Sequence, residues 1–424
     1  MIPGWTAEKN LPARPSAFHS RLIPALLVLA LAASASAQRI VEISASGANA
    51  VPAAPDGRDS LVEAGFDSFY NMDYERSVQD FQKFLDRHPN DPSAVNHLLS
   101  SVLMRELYRM GAMNSGEYAN DSFIGQAHRP ADPKVKDQIK QLVWRAEGLE
   151  EQELKANANN VNALYARGVT RAEFALYTAL VERAWFSALR NAVGARHDHE
   201  RVLELDPKYL DAKLVVGAHN YVVGSLPWGV KMAASITGLG GSKEKGLNYL
   251  NDVANGGGDN AIDAKVVLSL FLRREHRYDE SRVLMHDLAA RYPRNYLFPV
   301  EEANLFRAAG RLPEAAETYR QVWRNGRAGK YDGLHYEVAA WGLGELLRSE
   351  KDYAGAASAY EMVNQVSSPD PETQQKANLA AGEMYDMLQK RDLAMKKYQT
   401  VVAENGTSPP ADKARLYIKA AYRE

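Results

Sequence analysis

The chain has 424 residues, of which 46% are hydrophobic and 25% charged, with a formal net charge of -2 and no cysteine. The lack of cysteine excludes disulfide frameworks, thiolate metal sites and cysteine nucleophiles. The near-neutral charge argues against a nucleic-acid binder, because proteins that track phosphates carry a marked excess of Lys and Arg on one face. The length fits either two or three ordinary domains or one elongated array of repeats.

Residues 1–37 have the pattern of an N-terminal signal peptide. A basic residue precedes an apolar run of 12 residues at positions 22–33, which is shorter than the roughly 20 residues of a membrane-spanning helix. Ala35 and Ala37 are small residues that signal peptidase accepts, so we expect cleavage after Ala37, with an uncleaved anchor as the alternative. Residues 38–58 are rich in Ala, Ser, Gly and Pro and predict a flexible leader. The mature protein is therefore expected to be exported, either periplasmic or secreted.

From residue 59 onward the sequence predicts helices in pairs. Apolar residues recur every three or four positions, and Gly and Pro fall at the ends of these runs. In residues 61–89 the large, small, aromatic and proline positions are Leu61, Gly65, Tyr74, Phe81, Phe84 and Pro89. Their spacing resembles the tetratricopeptide repeat (TPR), which has a period of about 34 residues. The resemblance implies stacked helix pairs, in which small Gly65 lets the two helices approach closely.

Four further units with the same frame cover residues 259–404. The second helix of each carries a triplet of residues that we expect to be buried: Ser281, Met285 and Leu288; Ala315, Tyr319 and Val322; Ala356, Tyr360 and Val363; Ala394, Tyr398 and Val401. Residues 59–258 predict less regular helix pairs with insertions, and residues 405–424 predict a C-terminal capping helix that is helical over 410–422. The sequence thus predicts an all-α, TPR-like helical-repeat solenoid, or superhelix, with an N-terminal signal peptide.

Two shorter resemblances bear on function. Residues 213–319 are similar to the eukaryotic tetratricopeptide repeat protein 39 and mitochondrial outer-membrane Iml2 group. Residues 81–89 look like the repeats of periplasmic factors that help to assemble outer-membrane or cell-envelope machinery. These resemblances imply scaffolding or peptide binding, and they imply no catalytic residues.

The residues themselves offer no motif for catalysis or for a cofactor. The histidine pair in residues 197–199 is two positions apart, so on a helix the two rings point about 200° apart and cannot chelate one ion. Residues 238–246 have the composition of a phosphate loop but not its order, and we expect Ser242 to be a helix N-cap. The carboxylate pairs 150–151 and 301–302 are expected on solvated helix faces. We therefore expect no enzyme activity, metal or cofactor.

Residues 221–241 are the most apolar part of the mature chain, and Lys231 is the only charge in them. In one interpretation this segment packs against neighbouring repeats. In the other it makes peripheral contact with a membrane or holds an apolar ligand, with Trp228, Lys231 and Met232 as the contact residues.

The candidate partner-binding groove is marked by Arg273, Arg307 and Arg348, which recur at spacings of 34 and 41 residues near the ends of predicted first helices. Asn304 and Glu345 lie one turn earlier on the same helices. Guanidinium groups offer paired donors to carboxylate oxygens, so this row suits an acidic or C-terminal peptide. The alternative is that each arginine only complements the dipole of its own helix.

Two functions remain open from the sequence. The leading hypothesis is an exported, non-catalytic TPR scaffold that binds protein or peptide partners on its concave surface, in cell-envelope assembly or organisation. The alternative is a periplasmic carrier of a small apolar ligand or lipid, which uses residues 221–241 and the groove. Neither hypothesis includes nucleic acid, and the sequence leaves the partner's identity and the oligomeric state open.

Overall fold

The structure, a computed structural model, describes residues 59–113, 129–226, 231 and 240–424. The predicted signal peptide and leader, together with Trp228 and Met232, lie outside the described residues. Across the part of the chain that is described there are 17 α-helices, one short 3-10 helix at Leu210–Ala212 and no β-strand. The predicted all-α class is confirmed.

The helices are numbered in chain order. Those before residue 260 are α1 Ser60–Tyr70, α2 Tyr74–Arg87, α3 Pro92–Met110, α4 Pro133–Ala156, α5 Val161–Leu180, α6 Trp185–Leu205, α7 Lys213–Gly224 and α8 Lys243–Asn255. Those after it are α9 Ala261–Arg274, α10 Tyr278–Arg291, α11 Leu297–Ala308, α12 Leu312–Arg327, α13 Val338–Ser349, α14 Tyr353–Val363, α15 Pro371–Met387, α16 Arg391–Glu404 and α17 Pro409–Lys419.

Several helices begin at an acidic N-cap that is followed by proline. The Asp370 carboxylate accepts a hydrogen bond from the amide of Thr373 at 2.9 Å, and Pro371 occupies the first turn. An N-cap oxygen satisfies an amide that has no partner within the helix, and proline has no amide to satisfy. The same pair starts α3 at Asp91 and Pro92, and α4 at Asp132 and Pro133.

The described residues fall into two compact units. One unit contains residues 90–112 and the described residues from 129 to 264; the other contains residues 59–89, Met113 and 265–424. The helix pair at the start of the described chain therefore belongs with helices far along the sequence.

Polar and aromatic contacts hold that first helix pair within the second unit. The Asn295 side-chain amide donates to the Tyr70 carbonyl at 2.8 Å, and the Arg294 amide donates to the Asn71 side chain at 3.2 Å. The rings of Tyr70 and Tyr292 lie 5.1 Å apart between centroids. The linear order of the repeats does not reveal this pairing.

Within a helix pair, a small residue faces an aromatic ring. A Cβ atom at Gly65 would lie 2.7 Å from the ring of Phe81, so only glycine allows α1 and α2 to approach this closely. This confirms the role predicted for Gly65. Downstream, Gly344 faces Tyr360 between α13 and α14, and Gly382 faces Tyr398 between α15 and α16.

The first unit uses the same contact over longer helices. A Cβ atom at Gly168 would overlap the imidazole of His199, which therefore takes the place that a tyrosine or phenylalanine holds elsewhere. His199 Nδ1 lies 2.8 Å from the Ala195 carbonyl, and its ring packs edge-on against Tyr165 at 5.1 Å. The excess length of this repeat is taken up within α5 and α6, which have 20 and 21 residues.

The capping helix α17 ends earlier than predicted. It stops at Lys419 instead of residue 422, and Ala420 is extended with φ -142° and ψ 127°. The guanidinium of Arg391 donates to the carbonyls of Tyr417 at 2.5 Å and Ile418 at 2.9 Å. These bonds satisfy carbonyls at the end of the helix, and residues 420–424 continue as a non-helical stretch, which we call the 420–424 segment.

Candidate partner-binding surface

The three predicted arginines lie in the second unit, in the last turns of α9, α11 and α13. We call Arg273, Arg307 and Arg348 the arginine ladder. All three positive charges therefore also lie near the negative, C-terminal ends of their helix dipoles, as the alternative interpretation requires. The contacts of each guanidinium distinguish the three residues.

Arg273 is compensated by a carboxylate from the next repeat. Its Nη1 donates to both oxygens of Glu301 on α11, at 2.7 and 2.9 Å. The two side chains are only 13% and 7% exposed. Asn304 donates to the same carboxylate at 3.0 Å, so the predicted groove residues Arg273 and Asn304 share one acceptor.

Arg348 has a similar partner and two further ones. Its Nη1 donates to Glu383 on α15 at 2.7 Å, and its Nη2 donates to the hydroxyl of Tyr422 at 2.8 Å. Its Nε lies 3.6 Å from the Glu424 carboxylate. Burial alone would lower the pKa of Arg348, but the Glu383 carboxylate outweighs burial and raises this pKa overall. Arg348 thus stays charged and holds both a core acid and the 420–424 segment.

The two predicted polar neighbours of the ladder are each bonded by a core tyrosine of their own repeat. The Tyr319 hydroxyl donates to Asn304 at 2.5 Å, and the Tyr360 hydroxyl donates to Glu345 at 2.6 Å. Burial raises the pKa of Tyr319 to about 12, so its hydroxyl remains a donor at neutral pH. Asn304 and Glu345 are therefore oriented from the core side of the surface.

Arg307 differs from the other two arginines. Its guanidinium lies beside the Tyr319 hydroxyl and is partly exposed. Within the described ranges, no carboxylate lies within ion-pair distance of Arg307, whereas Arg273 and Arg348 both have one. The middle rung of the ladder therefore keeps an uncompensated positive charge.

Sequence reasoning missed the acids that face the ladder. The expectation that residues 301–302 are solvated is wrong, because both side chains are buried. Glu302 accepts a hydrogen bond of 3.1 Å from Arg282, which lies on the preceding repeat. The sequence offered only a partial signal. A glutamate follows Arg273 and Arg348 on the next first helix, Glu301 and Glu383 respectively, but Glu345 follows Arg307 in the same way without pairing with it.

Asp386 stands where the next arginine of the row would be. Both of its oxygens lie 2.9 Å from Nη1 of Arg391, and it also accepts from the Tyr398 hydroxyl at 2.8 Å. A further bond comes from the backbone amide of Tyr422 at 2.8 Å. The ladder thus ends on an acid that holds the 420–424 segment by its backbone.

A buried polar cluster lies in the first unit, between α3, α4 and α5. The Thr170 hydroxyl lies 2.5 Å from Glu150, and the Ser100 hydroxyl donates to Glu173 at 2.7 Å. Glu150 is fully buried, so the expectation that it is solvated is wrong. Burial raises the pKa of Glu150 and of Glu173 to about 8, because the charged form loses its hydration there.

Histidines and other ligand types form no metal site in the described ranges. No group of three or more His, Asp or Glu side chains is placed there to hold an ion. Burial lowers the pKa of His97 and of His219 to about 3, so both rings are neutral packing residues. Ser242 caps α8 by accepting from the Lys245 amide at 3.3 Å, as predicted.

Of the three apolar-segment residues, only Lys231 falls within the described chain, where it is partly buried. Trp228 and Met232 lie outside it, so a membrane or ligand contact at this segment stays a prediction. Among the helices that the structure describes, none combines the length and the apolar character needed to cross a bilayer.

The family model of the tetratricopeptide repeat matches residues 59–91. These residues are a tetratricopeptide repeat. They contain α1 and α2 with the close Gly65–Phe81 contact, and the downstream helix pairs repeat that contact. Each unit is thus built in the manner of a TPR-like solenoid. Tetratricopeptide repeats generally serve as non-catalytic scaffolds that bind protein partners, and this fold is consistent with protein–protein interaction.

The chain is similar to several solved structures. PilF of Pseudomonas aeruginosa is 15% identical, with a TM-score of 0.35 over 59% of this chain and 97% of that one. A tetratricopeptide repeat protein of Parabacteroides merdae is 12% identical, with a TM-score of 0.31 over 76% and 97%. Yeast Tom70 is 13% identical, with a TM-score of 0.34 over 85% and 88%. At these values none of them identifies a partner for this chain, and no curated protein matches the sequence significantly.

Proposed function

We propose that this protein is a non-catalytic scaffold that binds an acidic peptide segment of a protein partner at the arginine ladder. The repeat architecture supports partner binding in general. The ladder supports an acidic partner, because arginine presents paired donors that match a carboxylate.

The observation that carries this proposal is the uncompensated charge of Arg307. Its neighbours on the ladder are both paired with carboxylates from the next repeat. A partner carboxylate would supply for Arg307 the pairing that Glu301 supplies for Arg273. The Tyr319 hydroxyl lies beside this guanidinium.

We further propose that the scaffold acts in the cell envelope after export. The apolar run and small residues of positions 22–37 support cleavage before Gln38, and the resemblance of residues 81–89 supports a periplasmic assembly role. A mature protein would then meet its partner in the periplasm or outside the cell.

Crosslinking pulldown from the native envelope tests both parts. We expect Arg307→Glu to lower capture of the crosslinked partner about tenfold or more, since reversing a charge at a compensated contact costs well over 1 kcal/mol. Arg320→Glu is the matched control: it makes the same charge change in the same repeat, on an exposed position of α12.

Two results would count against the proposal. Equal capture by the Arg307→Glu and Arg320→Glu proteins would remove the ladder from partner binding. A bait that retains residues 1–37 by intact-mass measurement, or that fractionates with the cytoplasm, would remove the export part.

A further inference from the structure

The 420–424 segment occupies one end of the ladder surface. Tyr422 is bound twice, by its amide to Asp386 at 2.8 Å and by its hydroxyl to Arg348 at 2.8 Å. Glu424 lies 3.6 Å from Arg348 Nε and accepts a hydrogen bond from the Tyr353 hydroxyl at 3.0 Å. The chain thus places its own tyrosine and carboxylate on the kind of surface proposed to bind a partner.

The contacts alternate along the segment. Tyr422 and Glu424 both reach Arg348, whereas Arg423 between them is exposed. This alternation is typical of an extended chain, in which successive side chains point in opposite directions. The surface therefore contacts an aromatic residue and an acidic residue two positions later, and it makes no contact with the exposed side chain between them.

The segment can leave this surface without unfolding α17. Ala411 and Ala414 bury that helix against α16, and Nη2 of Arg391 bonds its last carbonyls directly, without a contact from residues 420–424. In the segment itself, every residue except Tyr422 is exposed. A few polar contacts, together with the edge-on packing of the Tyr422 ring against Tyr417 at 5.2 Å and its contact with the Arg348 guanidinium at 5.5 Å, therefore keep the segment in place.

We propose that the 420–424 segment is an exchangeable internal ligand, which a partner segment with an aromatic residue and an acid two positions later displaces. This inference rests on the proposed function, and it adds the partner's sequence pattern and a competitor within the same chain. While the 420–424 segment is bound, it occupies Arg348, and Arg307 stays available for first contact with the partner.

Binding of a labelled peptide tests the exchange. The probe is the peptide of residues 419–424 with an amidated C-terminus, so that only side-chain and backbone contacts are measured by fluorescence anisotropy. We expect the chain lacking residues 420–424 to bind this probe about tenfold or more tightly than the full chain, because the internal competitor is gone. Thermal unfolding by circular dichroism confirms that the shortened chain folds.

Variant probes assign the contacts. The probe with Tyr422→Phe loses the hydroxyl bonded by Arg348, and the probe with Glu424→Gln loses the charge that pairs with Arg348. We expect each to bind several-fold more weakly. The probe with Arg423→Ala is the matched control and should bind as the unchanged probe does. In the full chain, Glu424→Gln weakens the internal ligand without shortening the protein, so this variant should bind the unchanged probe more tightly than the full chain does.

Three outcomes of the binding and oligomer measurements overturn the inference. They are equal probe binding by the full and shortened chains, equal binding of the Glu424→Gln and Arg423→Ala probes, and a dimer of the full chain that is absent from the shortened chain. Partner capture that depends on Arg307 but is unchanged by deletion of residues 420–424 overturns this inference alone. Partner capture that is unchanged by Arg307→Glu overturns the proposed function, while the probe measurements still decide whether the segment exchanges.

Discussion

The glycine at position 382 sets the distance between α15 and α16. An added Cβ would lie 2.6 Å from Cε1 of Tyr398, whose hydroxyl is fixed by Asp386 and cannot shift freely. We expect Gly382→Ala to lower the free energy of unfolding by about 1–3 kcal/mol through overpacking, measured by urea denaturation. Gly148→Ala on α4 is the control, because nothing lies within 4 Å of its added Cβ. Alanine there should be neutral or stabilise the helix by up to about 1 kcal/mol.

Glu173 makes stability depend on pH. Burial raises its pKa from 4.5 to about 8. Between these pH values the folded state therefore holds a proton that the unfolded state has lost. This contribution to stability is fully present below pH 4.5 and disappears as the pH rises through about 8. We expect Glu173→Gln, which keeps the shape and carries no charge, to flatten the fall in stability between about pH 6.5 and 8.5, by at most about 1.4 kcal/mol per pH unit.

Glu151→Gln controls for the substitution itself, since Glu151 is exposed on α4 and pairs with Lys155. Above pH 6.5 this variant should follow the unchanged protein. The buried histidines have lowered pKa values and affect stability only at more acidic pH, so the comparison is made above their range. Parallel curves for the Glu173→Gln variant and the unchanged protein would show that Glu173 is ionised in the fold.

At the residue scale the sequence predicted the packing positions but not the ion pairs. Gly65, Phe81 and Tyr360 stand out because the small and aromatic positions recur at fixed spacings within one repeat. The partner of Arg348 is in the following repeat. The number of residues between such partners varies from one repeat to the next, because the loops differ in length. Pairing Arg348 with Glu383 requires the helices to be stacked first.

At the scale of elements, Arg391 decides where the last helix ends. It bridges Asp386 on α15 to the carbonyls of Tyr417 and Ile418 on α17. We expect Arg391→Ala to raise amide hydrogen exchange about tenfold or more across residues 417–424, because the helix end loses its cap and its anchor. Lys396→Ala, at an exposed position of the same helix α16, should leave this exchange unchanged.

The helix bounds show the same division between local and distant causes. Starts such as that of α15 follow from a local N-cap and proline, which lie next to each other in the sequence. The end of α17 depends on a guanidinium from another helix, so the amphipathic pattern alone placed it too late. A protection pattern in which Arg391→Ala leaves residues 417–424 unaffected would show that the helix ends there for a local reason instead.

For the whole molecule, Asn295 joins the first tetratricopeptide repeat to the rest of the second unit, of which that repeat is a part. Its side chain donates to the Tyr70 carbonyl at 2.8 Å and accepts from the Leu297 amide at 3.0 Å. We expect Asn295→Ala to cost about 1–2 kcal/mol of stability and to raise hydrogen exchange in α1 and α11 together. Asn251→Ala, at an exposed position of α8, should change neither helix. Increased exchange in α11 without any change in α1 would contradict the join.

The join also sets an order of events during synthesis. The Tyr70–Asn295 bond links residues 225 positions apart, with the whole first unit between them in the chain. The first repeat emerges early, yet the surface that covers Tyr70 does not exist until Tyr292 and its neighbours have been made. Such distant closure is slow, because the loop entropy must be overcome before the contact forms. The apolar face of the first repeat is therefore exposed until residues near 292 have been synthesised. During this interval the nascent chain most needs a chaperone.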